Sequence, residues 1–97
     1  MRYEIVLAPE AAGDLKRLTA HLRSNVSDAL EVHLRHEPTK ASRSRIKRLR
    51  GLTKPQYRLQ VDDLRVFYDV TEREVQVLAV VTKAEAKAWL DREGKKS

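Results

Sequence analysis

Cysteine is absent from the 97-residue chain. That absence excludes disulfides, thiol nucleophiles and cysteine-held metals, and it suits a reducing cytoplasm. Long apolar runs are also missing. The longest clean one, Val77 to Val81, is far too short to cross a bilayer, so no membrane association is expected. The opening "MRYEIVLAPE" lacks an apolar core and a cleavage pattern, so it does not read as a signal peptide. Glycine and proline are scarce, at three each, and only five residues are aromatic. The length suits one domain over residues 1–97 with a single modest core. Acid is missing locally. From Pro38 to Val61 there is no Asp or Glu, while Lys40, Arg43, Arg45, Lys47, Arg48, Arg50, Lys54 and Arg58 supply eight positive charges. The net charge is +6, so the rest of the chain sums to −2. Charge concentrated this way points to a polyanion, most often nucleic acid. A solvated loop or a dock for an acidic protein would have the same composition.

What is present is periodic. Tyr3, Ile5 and Leu7 alternate with Arg2, Glu4 and Val6, which predicts a strand over Arg2–Leu7. Pro9 suits a first helical turn, and Ala11, Leu15, Leu18 and Leu22 recur at helical spacing. Ser24 or Asn25 is the expected cap of a second helix. Its stripe is Val26, Ala29, Leu30, His33 and Leu34, and Pro38 ends it. Two helices so closely joined predict an antiparallel helical hairpin. A short extended piece is expected near Arg45–Leu49, anchored by Ile46, Leu49 and Leu52.

The segment "YRLQVDDLRVFYDV" carries the clearest pattern. Apolar residues are odd-numbered up to Val61 and even-numbered from Leu64. A two-residue turn at Asp62-Asp63 pairs Val61 with Leu64, Leu59 with Val66 and Tyr57 with Tyr68 on one face. Arg58, Gln60, Arg65 and Phe67 take the other. A third strand at about 74–81 should pair Val70 with Val75, Tyr68 with Val77 and Val66 with Ala79. That register puts Val75, Val77, Ala79 and Val81 on the core face, and Gln76, Leu78 and Val80 with the arginines. A helix from about Lys83 to Arg92 closes the chain, with residues 93–97 expected to fray. The fold class is α+β: an N-terminal strand, a helical hairpin, a three-stranded antiparallel meander and a C-terminal helix. It should form a single sheet with helices on its core face.

No glycine-rich phosphate loop, zinc spacing or nucleophile elbow occurs. Neither a metal nor a small-molecule cofactor is expected. His21, His33 and His36 lie on the helical hairpin without a carboxylate at diagnostic spacing, and read as structural or solvated. Asp62-Asp63 reads as turn chemistry. Trp89 should pack the last helix onto the sheet or the first helix.

"MRYEIVLAPEAAGDLKRL", the basic "RIKRLRGL" and "QYRLQVDDLRVFYDV" with its following valine-rich strand resemble the RelE/ParE superfamily. These are toxins of type II toxin–antitoxin systems. The resemblance spans roughly residues 1 to 90. It implies a RelE-like fold and a cognate antitoxin partner. RelE-type members cut mRNA in the ribosomal A site, whereas ParE-type members poison DNA gyrase. RelE-type cleavage uses ribose 2′-OH attack without a metal, and cations stabilise the phosphorane.

Residue by residue, the alternating lysines of RelE fall at Arg58 and Gln60, and its next-strand arginine at Arg65. Its later arginine falls near Lys83-Ala84, where Lys83 can substitute. Its tyrosine falls near Trp89-Leu90, where there is no phenol. The resemblance thus implies Arg58, Arg65 and Lys83 as catalytic. Arg43, Arg45, Lys47, Arg48, Arg50 and Lys54 would bind rRNA phosphates, with Gln60 and Phe67 contacting RNA. Phe67, Leu78 and Val80 leave apolar area among the arginines, which can stack a base. The leading expectation is a cytoplasmic, ribosome-dependent mRNA endoribonuclease. The alternatives are a gyrase inhibitor of the same fold and a non-catalytic nucleic-acid-binding module.

Overall fold

A computed structural model describes residues 1–97. Its elements are β1 (Glu4–Leu7), α1 (Pro9–Arg17), α2 (Ala20–Leu34), β2 (Ile46–Arg48), β3 (Leu52–Lys54), β4 (Tyr57–Val61), β5 (Leu64–Val70), β6 (Glu74–Thr82), α3 (Lys83–Glu93) and β7 (Lys95–Lys96). Five strands form the main sheet in the order β1-β6-β5-β4-β2. β1 runs parallel to β6, and the other neighbours are antiparallel. The expected α+β class and its meander are present.

The first two helices meet earlier than the apolar spacing predicts. Pro9 sits in the first turn of α1, and Leu18 is already extended. Thr19, not Ser24 or Asn25, caps α2, its hydroxyl accepting the Leu22 N–H at 3.3 Å. Arg23 explains the sharp corner. Its Nε donates to the Leu15 carbonyl at 3.1 Å and an Nη to that of Leu18 at 2.9 Å. One guanidinium thus bonds the Leu18 carbonyl and shares the Leu15 carbonyl with the Leu18 N–H, which donates to it at 3.2 Å. Leu22 therefore belongs to α2.

Ala11 and Leu15 of α1 and Val26, Leu30 and Leu34 of α2 pack on one sheet face, against Ile46, Leu59, Val61, Leu64, Val66, Tyr68, Val75, Val77 and Val80. The Tyr68 hydroxyl donates to the Pro38 carbonyl at 2.6 Å, tying the chain after α2 to the core. Burial, and then Tyr57, push the Tyr68 phenol well above its ordinary pKa.

The β4–β5 register is the one the alternation predicts, from Tyr57 opposite Tyr68 to Val61 opposite Leu64. Asp62 takes a left-handed conformation, φ 52°, which aspartate tolerates better than most residues. The β5–β6 register departs from expectation past Tyr68–Val77. A bulge leaves Leu78 unmatched, so Phe67 faces Ala79 and Val66 faces Val80. Every later side chain of β6 changes face. Val80 joins the main core, while Leu78, Ala79 and Val81 join the other side.

That other side is not bare. All helices were expected on the core face, but α3 packs on the opposite one. Its Trp89 stacks on Phe67, ring centroids 4.9 Å apart and planes 7° apart. Leu49, Leu78, Val81, Ala86 and Leu90 surround the pair. Both faces of the central strands are therefore buried. A capping box between Thr82 and Glu85 starts α3. The tail is not frayed: β7 pairs with β3, setting Leu52 opposite Lys96 and Lys54 opposite Lys95. Gly51, at φ 75°, makes the turn into β3.

A cationic sheet face as the candidate functional site

Cross-strand neighbours share a face. Lys47 lies opposite Arg58, and Arg58 opposite Phe67. Gln60 lies opposite Arg65, and Arg65 opposite Val81. Lys47, Arg58, Gln60 and Arg65 thus occupy the part of the face that runs from α3 toward the β2 edge.

The two arginines are not equivalent. Arg65 is only 7% exposed, although the alternation sets it on the face away from the helical hairpin. One Nη donates to the carbonyls of Asp62, at 3.0 Å, and Leu64, at 2.9 Å. Its side chain therefore braces the hairpin turn. Arg58 is half-buried, and its Nε is buried without a hydrogen-bond partner. Burial first, and the charge of Arg65 second, lower the Arg58 pKa from its ordinary value. Both effects disfavour the cation, and an anion placed between the guanidiniums would oppose both. The chain does not supply that anion. Its side-chain ion pairs are Arg17–Asp14, Arg35–Glu31, Lys40–Glu37, Lys87–Asp91 and Arg92–Glu93, and none includes Arg58 or Arg65.

Lys83 is the first residue of α3, and its backbone N–H donates to the Asp63 carbonyl at 2.8 Å. That bond sets the start of the helix against the hairpin turn beside Arg65, with the Lys83 side chain exposed. Gln60 is half-buried. Phe67 needs correction. It is fully buried beneath Trp89, so it offers no ring for stacking a base. The open Phe67–Leu78–Val80 patch does not exist, because α3 covers Phe67 and the bulge turns Val80 inward.

Arg43, Arg45, Lys47, Arg48, Arg50 and Lys54 are all exposed along the segment from the loop before β2 to β3. Arg48 is ordered, its guanidinium 5.1 Å from the Tyr57 ring centroid and donating to the Gln56 carbonyl at 3.2 Å. The histidines lie elsewhere. His21 and His33 are on α2, and His36 follows it, its Nδ1 3.3 Å from the Met1 carbonyl oxygen. Tyr57 and Tyr68 stack on the helical-hairpin side. The arginine face therefore holds guanidinium, ammonium and amide groups, but no imidazole or phenol. No cluster of three His, Asp or Glu side chains is arranged to hold a metal.

Two features here go beyond the sequence reading, the pairing of Lys47 with Arg58 and the extent of the cover that α3, expected to dock through Trp89, provides. The second had a signal. "VLAVV" in β6 is continuously apolar, as expected of a strand buried on both faces.

This arrangement defines a small α+β protein with an uncompensated cationic sheet face. Residues 5–86 match the profile of the ParE toxin of type II toxin–antitoxin systems, parDE, and the chain belongs to that family, within the RelE/ParE superfamily. Solved structures share the fold. A chain of the archaeal RelE–RelB complex from Pyrococcus horikoshii aligns with TM-score 0.70 at 20% identity, over 86% of this chain and 97% of that one. A chain of the RelBE2 toxin–antitoxin complex of Mycobacterium tuberculosis gives 0.63 at 20%, over 84% and 99%. The YoeB dimer of Staphylococcus aureus gives 0.64 at 15%, over 84% and 97%. No curated protein sequence matches the chain.

Proposed function

We propose that this toxin is a ribosome-dependent mRNA endoribonuclease of the cytoplasm, held inactive by a cognate antitoxin. The observation that carries this reading is Arg58, a half-buried guanidinium with an orphaned Nε, beside Arg65 and without a carboxylate. A site of this kind favours an anion that gains charge during reaction. In the proposed step the ribose 2′-oxygen attacks the adjacent phosphorus and the P–O5′ bond breaks. A 2′,3′-cyclic phosphate and a 5′-hydroxyl result, as the 2′-OH proton passes to solvent water and water returns a proton to O5′. Arg58 and Arg65 stabilise the phosphorane, with Lys83 at the rim. Arg43, Arg45 and Lys54 hold ribosomal phosphates. The antitoxin partner is supported by solved relatives that are toxin–antitoxin complexes.

Two observations favour a second reading, inhibition of DNA gyrase. The matching profile is that of the ParE toxin, and the arginine face has no imidazole or phenol to move protons. A third reading, a nucleic-acid-binding module without catalysis, predicts neither effect. Purified toxin in a translation extract, followed by primer extension on the mRNA, tests the first. A supercoiling assay beside it tests the second. New 5′ ends that require ribosomes support the ribonuclease. Intact mRNA with blocked supercoiling replaces it with the gyrase reading, and neither effect leaves the binding module.

A further inference from the structure

A cavity of about 950 Å³ runs along the outer side of β2. Its polar lining includes Ser42, Lys47, Arg48, Arg50, Thr53, Gln56 and Ser97, and no Asp or Glu side chain contributes to it. The backbone adds a donor. In an antiparallel ladder, successive residues turn their N–H groups alternately toward and away from the partner strand. The Gln60 N–H donates to the Arg45 carbonyl and the Leu49 N–H to the Gln56 carbonyl, both at 2.9 Å, so residues 45 and 49 face inward. Ile46 and Arg48 face outward. Ile46 is already satisfied, because its N–H donates to the Ser42 hydroxyl at 3.2 Å and its carbonyl accepts the Ser42 N–H at 2.9 Å. The Arg48 amide is left facing the cavity.

We propose that this groove binds the sugar–phosphate backbone of single-stranded RNA and leads it across β2 to Arg58. The link is Lys47, which lines the groove and sits opposite Arg58 in the sheet. Its destination rests on the ribonuclease reading above, but its binding does not require cleavage. The open edge is also too short for a protein strand. Ser42 blocks it on one side of Arg48 and the Gly51 turn ends it on the other, so one outward residue remains. Strand addition needs a run of such residues. Phosphates need only point contacts, and three cations, neutral donors and one amide provide them. Arg48 is already ordered over Tyr57, so it loses little freedom on binding.

The test is fluorescence anisotropy of the purified full-length chain with a labelled 2′-O-methyl oligouridine, which cannot be cleaved, across a salt series. Arg50→Glu, which alters an exposed side chain, should weaken binding about tenfold or more at low salt and flatten the salt dependence. Arg48→Gln should act in the same direction. Lys16→Glu, on exposed α1, reverses a charge far from the groove and should change far less. Three results overturn the groove assignment. They are no binding by wild type, equal losses for Lys16→Glu and Arg50→Glu, and equal competition by duplex RNA of the same length. A polyglutamate peptide that binds through Arg48 and Arg50 where RNA does not would assign the groove to an acidic protein partner instead. Groove-dependent binding with mRNA left intact in the translation extract would remove the ribonuclease reading and leave the groove standing.

Discussion

Asp14 on α1 accepts a hydrogen bond from the Val80 backbone N–H of β6 at 2.9 Å. Val80 lies two residues past the unmatched Leu78, where the bulge disturbs the ladder. A helix side chain thus takes up a strand amide and locks the register that turns Val80 inward and Ala79 outward. The Asp14 side chain is only 11% exposed.

Asp14→Ala should therefore destabilise the fold by about 1–3 kcal/mol, as expected when a buried donor loses its partner. Urea unfolding should show a lower midpoint with an unchanged slope. Arg17→Ala, which removes only the exposed ion pair to Asp14, should cost less than about 0.5 kcal/mol. Equal losses for the two variants would mean that the Asp14–Val80 bond does not matter.

Trp89 is the only tryptophan. It is 5% exposed, stacked on Phe67, and its Nε1 donates to Glu10 at 2.7 Å. Its fluorescence should be blue-shifted in the native protein and shift red on unfolding. Trp89→Ala should cost about 3–5 kcal/mol, the usual range for a large core truncation. A native spectrum like that of free tryptophan would place α3 off the sheet.

The hairpin was legible because an odd-to-even switch across two acids admits one register, and the observed pairs match it residue for residue. The third strand was legible only up to Val77. A bulge adds a residue without any composition signal, and its partner is Asp14, sixty-six residues away in sequence. The buried state of Arg65 was hidden for a similar reason. Alternation assigned it to the face away from the helical hairpin, correctly, but the signal that α3 would cover much of that face lay in the continuously apolar β6 rather than beside Arg65. The cap at Thr19 was masked by Leu18 and Leu22, whose spacing continues the stripe of α1 through a corner closed by Arg23.

The two arginines should separate in stability. Arg65→Ala breaks bonds to the Asp62 and Leu64 carbonyls and should cost about 1–3 kcal/mol. Arg58→Ala removes a half-buried cation with no acidic partner, and should leave the melting temperature unchanged or slightly raised. Thermal unfolding of both variants checks this. A marked loss of stability for Arg58→Ala would show that Arg58 is a structural residue.

Burial first, and Arg45 second, lower the His33 pKa below its ordinary 6.5. The unfolded chain then binds more protons in the window between that lowered value and 6.5. Stability should rise with pH through this window, and fall as pH drops through the folded value. Urea midpoints measured from pH 5 to 7 should show the slope, and His33→Gln should flatten it. A profile identical in the variant would assign the slope to other groups. Glu31 is held below its ordinary pKa of 4.5, chiefly by its hydrogen bond from Arg35, and so lies below the pH 5 to 7 range of the measurement.

The most direct measurement is single-turnover cleavage of ribosome-bound mRNA at saturating toxin, read by primer extension for wild type and Arg58→Ala. Wild type should produce new 5′ ends within the A-site codon. Arg58→Ala, folded by circular dichroism, should slow that step about a hundredfold or more, as for loss of one transition-state donor. Cleavage by Arg58→Ala at the wild-type rate would contradict a catalytic role for the orphaned guanidinium.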